Sequence, residues 1–91
     1  MLAGYGIISM INEELLQGFF CDFLIARGIS ISKKNINHFN FTGSGSIDSF
    51  EILSMIMELE MLTNIHLSPD ELMDENNATV GGLIETLLRK Q

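Results

Sequence analysis

Tryptophan is absent from this sequence, and proline, tyrosine and cysteine occur once each. A single Cys excludes an internal disulfide and fits a reducing compartment, so the fold has to stand on apolar packing. Without Trp, that packing falls to Ile, Leu, Met and six Phe. Positive charge is scarce too. Five Lys and Arg face twelve Asp and Glu, for a net charge of −7. Such a surface disfavours nucleic acid and anionic membranes and suits partners with basic docking patches. The plainer alternative is that acidity only keeps a greasy small domain in solution. A membrane-length apolar run is also missing. Met1 to Ile11 is apolar, but it has no basic n-region or small-residue cleavage site, and Glu13 and Glu14 interrupt it. Neither a signal peptide nor a transmembrane helix is expected, and the expected location is cytoplasmic.

What is present argues for folding. Hydrophobic residues make up 46 % of 91 positions, too many for a disordered chain, and the length suits one small domain over 1–91. Residues 1–6 contain two glycines and read as a loose lead-in. Helix one is expected from Ser9 to Arg27, with Ile8, Ile11, Leu15, Phe19, Phe23 and Ala26 in one stripe, widened by Leu16, Phe20 and Leu24. Gly28 then stops it as a C′ residue. Ile29 to Gly45 has no helical period but many turn formers, and its Ile and Phe residues suggest a long loop pinned to the core at intervals.

Helix two is expected over Ser49 to Leu62, facing inward with Ile52, Met55, Ile56, Leu59 and Leu62. Asp48 is a good N-cap, and Glu51 stands where it can reach back to the cap's N–H. Helix three starts at Ser68-Pro69-Asp70-Glu71, with Ser at the cap, Pro first and Glu third, and runs to about Asp74. Helix four spans Thr79 to Lys90, with Val80, Leu83, Ile84, Leu87 and Leu88 inward and Arg89 and Lys90 at its negative end. Gly81 and Gly82 each cost roughly 1 kcal/mol there relative to Ala, so they either permit close packing or let the first turn fray. The fold class is therefore all-α, a small four-helix bundle of three main helices and one short one, with a long loop between helices one and two.

Few residues suggest chemistry. Cys21 lies among Phe residues and reads as a small core side chain. His38 has no second ligand at metal spacing, and Asp70, Glu71, Asp74 and Glu75 lack the pattern of a calcium loop. Gly43-Ser44-Gly45-Ser46 lacks the Gly-Lys-Ser/Thr ending of a phosphate loop and reads as a flexible approach to Ser49. Ser44 and Ser46 are rival modification sites, but only Ser49 combines a preceding acid with a helix start. A phosphodiester on its hydroxyl would sit at the positive end of helix two. No catalytic residue and no metal site is expected.

Asp48-Ser49, a bulky apolar residue, and a helix ending in Leu59-Glu60 resemble the attachment site of acyl and peptidyl carrier proteins. The likeness continues through Ile65-His66-Leu67-Ser68-Pro69-Asp70-Glu71 and Ala78-Thr79-Val80, covering roughly residues 40–89. It implies a 4′-phosphopantetheine arm on Ser49, with Asp48 as the motif acid, and an acyl or aminoacyl group held as a thioester on the arm's thiol. It also implies three partners: a phosphopantetheinyl transferase, an acyl- or amino-acid-activating (adenylating) enzyme and downstream acyl-processing enzymes. Such a carrier is expected to be a monomer and not itself an enzyme. Docking in this family runs along helix two, where Phe50, Glu51, Leu53, Ser54, Met57, Glu60 and Met61 project outward. Ser54 and Met61 replace acids usual in fatty-acid-synthesis carriers, Phe50 replaces Leu or Met, and Thr63 replaces an aromatic residue. These departures point to a specialised carrier in a lipid, polyketide, peptide or cell-surface pathway. The alternative is a small helical adaptor with an unmodified Ser49.

Overall fold

The computed structural model describes residues 11–41 and 47–91. The lead-in at 1–6, the stripe residue Ile8, the expected helix start at Ser9 and Met10, and the Gly43–Ser46 approach with its two rival serines lie outside the described residues.

The described residues are all-α. Helix α1 spans Glu13–Ala26, α2 Ser49–Thr63, α3 Pro69–Met73 and α4 Val80–Lys90, with single 3₁₀ turns at Ile36–His38 and Glu75–Asn77. None of these helices is long and apolar enough to cross a membrane. Side-chain caps set the starts. Asn12 accepts the Leu15 N–H at 2.8 Å, so α1 begins at Glu13, and Ile11 and Asn12, expected within the helix, stay outside it. Asp48 accepts from Glu51 N at 2.9 Å, and Thr79 from Gly82 N at 3.2 Å. At α3 both halves of the capping box form: Glu71 N donates to Ser68 Oγ and Ser68 N to Glu71 Oε1. Gly28 follows α1 with φ of +83°, which its missing Cβ permits, and Asn64 ends α2 in the left-handed region at φ of 59°.

The core draws on every major segment. It contains Leu16, Phe20, Phe23 and Leu24 of α1, Met55, Ile56 and Leu59 of α2, and Val80, Leu83, Ile84 and Leu87 of α4. Ile36 and Phe41 pin the long loop to it, with Ile29, Ile31 and Phe39 packed alongside. Two expected faces are corrected. On α1, Leu15 and Ala26 are exposed and Phe19 is half-buried, so the buried face is centred on Leu16, Phe20 and Leu24. The polar residues explain this rotation. Asn37 Nδ2 donates to Glu13 Oε2 at 3.1 Å and Gln17 Nε2 to Asn37 Oδ1 at 3.0 Å, which turns that edge of α1 onto the 3₁₀ turn. On α2, Leu62 is exposed and Thr63 is buried instead, its hydroxyl donating to the Leu59 carbonyl at 2.8 Å.

The first turn of α4 is clamped from three sides. Phe41 N donates to Ala78 O at 2.7 Å and Val80 N to Phe39 O at 3.0 Å, forming an isolated antiparallel bridge. Gly81 lies against the Asn37 backbone and Gly82 against the Asn76 carbonyl. The paired glycines therefore serve close packing. Below them, the buried Asn77 side chain accepts from the Thr86 hydroxyl at 2.7 Å and donates to the Glu71 carbonyl at 2.7 Å.

Candidate functional site

Ser49 is exposed and is the first residue of α2, directly after its Asp48 cap. Local physics explains this placement. Asp48 has extended backbone angles (φ −96°, ψ 178°), and its carboxylate takes one of the orphan amides of the first turn. The Ser49 hydroxyl thus stands at the positive end of a fifteen-residue helix.

Glu51 does not complete the box at this cap. Its carboxylate turns to α1, where Arg27 Nε lies 3.2 Å from Glu51 Oε2. Arg27 in turn stacks 3.4 Å from the Phe23 ring centroid and donates from Nη1 to the Phe23 carbonyl at 3.2 Å. A guanidinium on an aromatic face outcompetes the short reach back to the cap. Glu60 is engaged as well. Its Oε2 accepts from Leu67 N at 3.0 Å and lies 3.1 Å from His66 Nδ1, closing the turn after α2. Both expected docking acids are half-buried and spend their carboxylates inside the molecule.

The remaining outward positions of α2 are open. Phe50 and Met61 are 82 % and 84 % exposed, with Leu53, Met57 and Ser54 exposed between them. Among the expected docking residues, what α2 presents is an apolar stripe rather than an acidic one. Patches of this kind on a small domain mark contact surfaces.

Beside Ser49 lies a cavity of about 550 Å³. Ser49, Ile52, Leu53, Met55 and Ile56 of α2 form one side, and Phe41, Asn77, Ala78 and Leu83 another. Leu72 and Met73 of α3, with Asp74 and Glu75, complete the wall. Sequence reasoning places none of Phe41, Leu72, Met73 or Leu83 at the site. The one available hint was the pair of apolar side chains, Leu72 and Met73, on the short α3.

His38 is exposed, and Cys21 is buried, its thiol pushed up chiefly by that burial. Glu71 behaves differently. Lys90 Nζ donates to Oε1 at 2.9 Å and to Oε2 at 2.8 Å, and with the Ser68 amide it holds the Glu71 carboxyl down to about 2. A carboxyl depressed from 4.5 in this way stabilises the fold above about pH 4.5, and the benefit drains away as pH falls toward 2. Melting temperature against pH should therefore show Glu71→Gln below wild type at pH 7, with the gap closing between pH 4.5 and 2. A constant gap across that range would show that charge plays no part.

No protein-family model, curated protein or solved structure matches the chain.

Proposed function

We propose that the chain is a carrier protein, a small four-helix bundle that holds an acyl or aminoacyl group as a thioester on a 4′-phosphopantetheine arm at Ser49. One observation carries the reading: Ser49 is at once the exposed first residue of a capped helix and part of the rim of a largely apolar cavity. The resemblance of residues 40–89 to carrier proteins supports it independently. The local chemistry fits the arm. An exposed primary hydroxyl is available for esterification, and the first turn of α2 favours the phosphodiester's negative charge.

In loading, the Ser49 oxygen would displace adenosine 3′,5′-bisphosphate from coenzyme A, forming the Ser–O–P ester while the transferase takes the hydroxyl proton. Metal and base belong to that enzyme. The arm supplies a thiol that holds the cargo as a thioester, and the helical core would shelter the cargo. Asp48 keeps the helix start in place. Recognition by the activating and acyl-processing enzymes would use Phe50, Leu53, Met57 and Met61, whose apolar contacts select partners more by shape than by long-range steering. A cytoplasmic monomer is the state expected on this reading.

The exposed apolar stripe also favours a second reading, an adaptor that binds a protein through α2 with Ser49 unmodified. Intact mass after co-expression with a broad-specificity phosphopantetheinyl transferase separates the two. A gain of one phosphopantetheine on wild type and none on Ser49→Ala is the expected result. Folded wild-type protein with no mass gain would sink the carrier reading.

A further inference from the structure

The cavity beside Ser49 joins an apolar interior to a rim of one charge sign. Phe41, Met55, Ile56 and Leu83 line it and are all buried. Among the described residues, the only charged side chains in its lining are Asp74 and Glu75, both exposed. No Lys or Arg lines it. Nor does a cation elsewhere neutralise the two acids: Lys90 pairs with Glu71, Arg27 with Glu51 and Arg89 with Glu85. Asp74 Oδ1 accepts from Asn76 N at 2.9 Å and so caps the short turn that carries Glu75, which fixes both residues at the rim. Asn77 is engaged at both ends of its amide, through Thr86 and the Glu71 carbonyl. The polarity left for a tethered group is therefore anionic.

We infer that the cargo is an α-aminoacyl group with an aliphatic side chain, its side chain in the cavity and its α-ammonium at the rim beside Asp74 and Glu75. This rests on the carrier reading above and narrows it. The two parts of such a group match the two parts of the site. An aliphatic side chain gains by leaving water for the apolar interior. A charged ammonium is costly to bury, and exposed acids let it keep its water while pairing with opposite charge. A simple fatty acyl group would gain nothing from the two carboxylates. An acyl group ending in its own carboxylate would be repelled by them. Asp74 and Glu75 are cargo-binding residues on this assignment, and pairs so exposed give a preference of a few-fold.

The test loads the full chain by the transferase from leucyl coenzyme A or from 4-methylpentanoyl coenzyme A, which has the same carbon skeleton without the amine. Hydroxylamine then cleaves each thioester, forming the hydroxamate and freeing the thiol. Each rate is divided by that of the same group on free pantetheine, which removes intrinsic reactivity. The leucyl group should be protected about threefold to fivefold more than the 4-methylpentanoyl group, because the anchored ammonium holds it in place. Asp74→Asn combined with Glu75→Gln should abolish this difference and leave 4-methylpentanoyl protection unchanged. Glu85→Gln, which removes an equal charge outside the cavity lining, should alter neither. Salt at about 0.5 M should erode the leucyl advantage in wild type. Glu75→Gln alone leaves the Asp74 cap in place and should lose part of the advantage, which decides the matter even where the double variant is unstable. Equal protection of the two groups in loaded wild type, or an advantage that survives the double variant, overturns the aminoacyl assignment and leaves the carrier reading standing. Failure of folded protein to load at Ser49 from either thioester sinks both.

Discussion

Gly82→Ala should destabilise the protein by about 3 kcal/mol or more, against the direction that helix propensity alone dictates. Alanine in a helix interior is favoured over glycine by about 1 kcal/mol, so a substitution judged on propensity would count as an improvement. The packing reverses the sign. A Cβ at Gly82 would overlap the Asn76 carbonyl oxygen and lie 2.7 Å from its carbonyl carbon. The obstacle is backbone, held next to an Asn77 whose side chain is itself bonded twice, so it cannot rotate aside as a flexible side chain would. Neighbouring positions provide internal controls. At Gly81 the nearest atom to a Cβ is the Asn37 carbonyl at 3.0 Å, so a shift of a few tenths of an ångström suffices and a much smaller loss is expected. Gly18 has nothing within 4 Å, and Gly18→Ala should stabilise by about 0.5–1 kcal/mol. Urea titration of the three variants checks the order. Gly82→Ala matching Gly18→Ala would show that the 75–77 turn yields easily.

Phe20→Ala should cost about 3–5 kcal/mol, the range for emptying a buried aromatic site. Phe20 is fully buried, its ring 5.3 Å from Phe19 in a near-perpendicular arrangement and 6.0 Å from Phe41. It therefore joins α1 to the wall of the cavity. A domain of this size has roughly 5–14 kcal/mol in total, so the loss takes a large share of it. At about 4–8 °C per kcal/mol, the melting point should fall on the order of 20 °C. Calorimetry would measure this directly, and Phe20→Leu, which keeps most of the volume, should lose far less. A fall of only a few degrees for the alanine variant would mean that the surrounding side chains collapse into the space.

Most local signals were legible in the sequence and tertiary ones were not; the local exception is Asn12, whose cap starts α1 four residues after the expected Ser9. Asp48, Ser68 with Glu71, Gly28 and Asn64 act within one turn of themselves, so their residue types announce the helix ends they produce. The inward face of α1 escaped because apolar residues cover two adjacent rows, and the choice between them was made by Glu13 and Gln17 meeting Asn37 from another part of the chain. Thr63 escaped for a related reason: a hydroxyl bonded back to Leu59 O becomes core-compatible, which its polarity conceals. At the candidate site, the exposure of Ser49, Phe50, Leu53 and Met57 followed from helical spacing. That Glu51 would turn to Arg27 depended on α1 and α2 meeting in the fold, and that Glu60 would turn to Leu67 N and His66 depended on the path of the turn after α2. The cavity was invisible because its lining comes from the long loop, α2, α3 and α4 together.

The bridge between Asn40 and Thr79 gives one wall of the cavity a history of its own. Joining those two points closes a loop of about forty residues, at an entropic cost on the order of 3 kcal/mol. Contacts so distant along the chain slow folding, because the loop must close before the contact rewards it. Nor does the C-terminal helix persist well alone, since it is short and opens with two glycines. Its first turn is thus made and lost with the whole molecule.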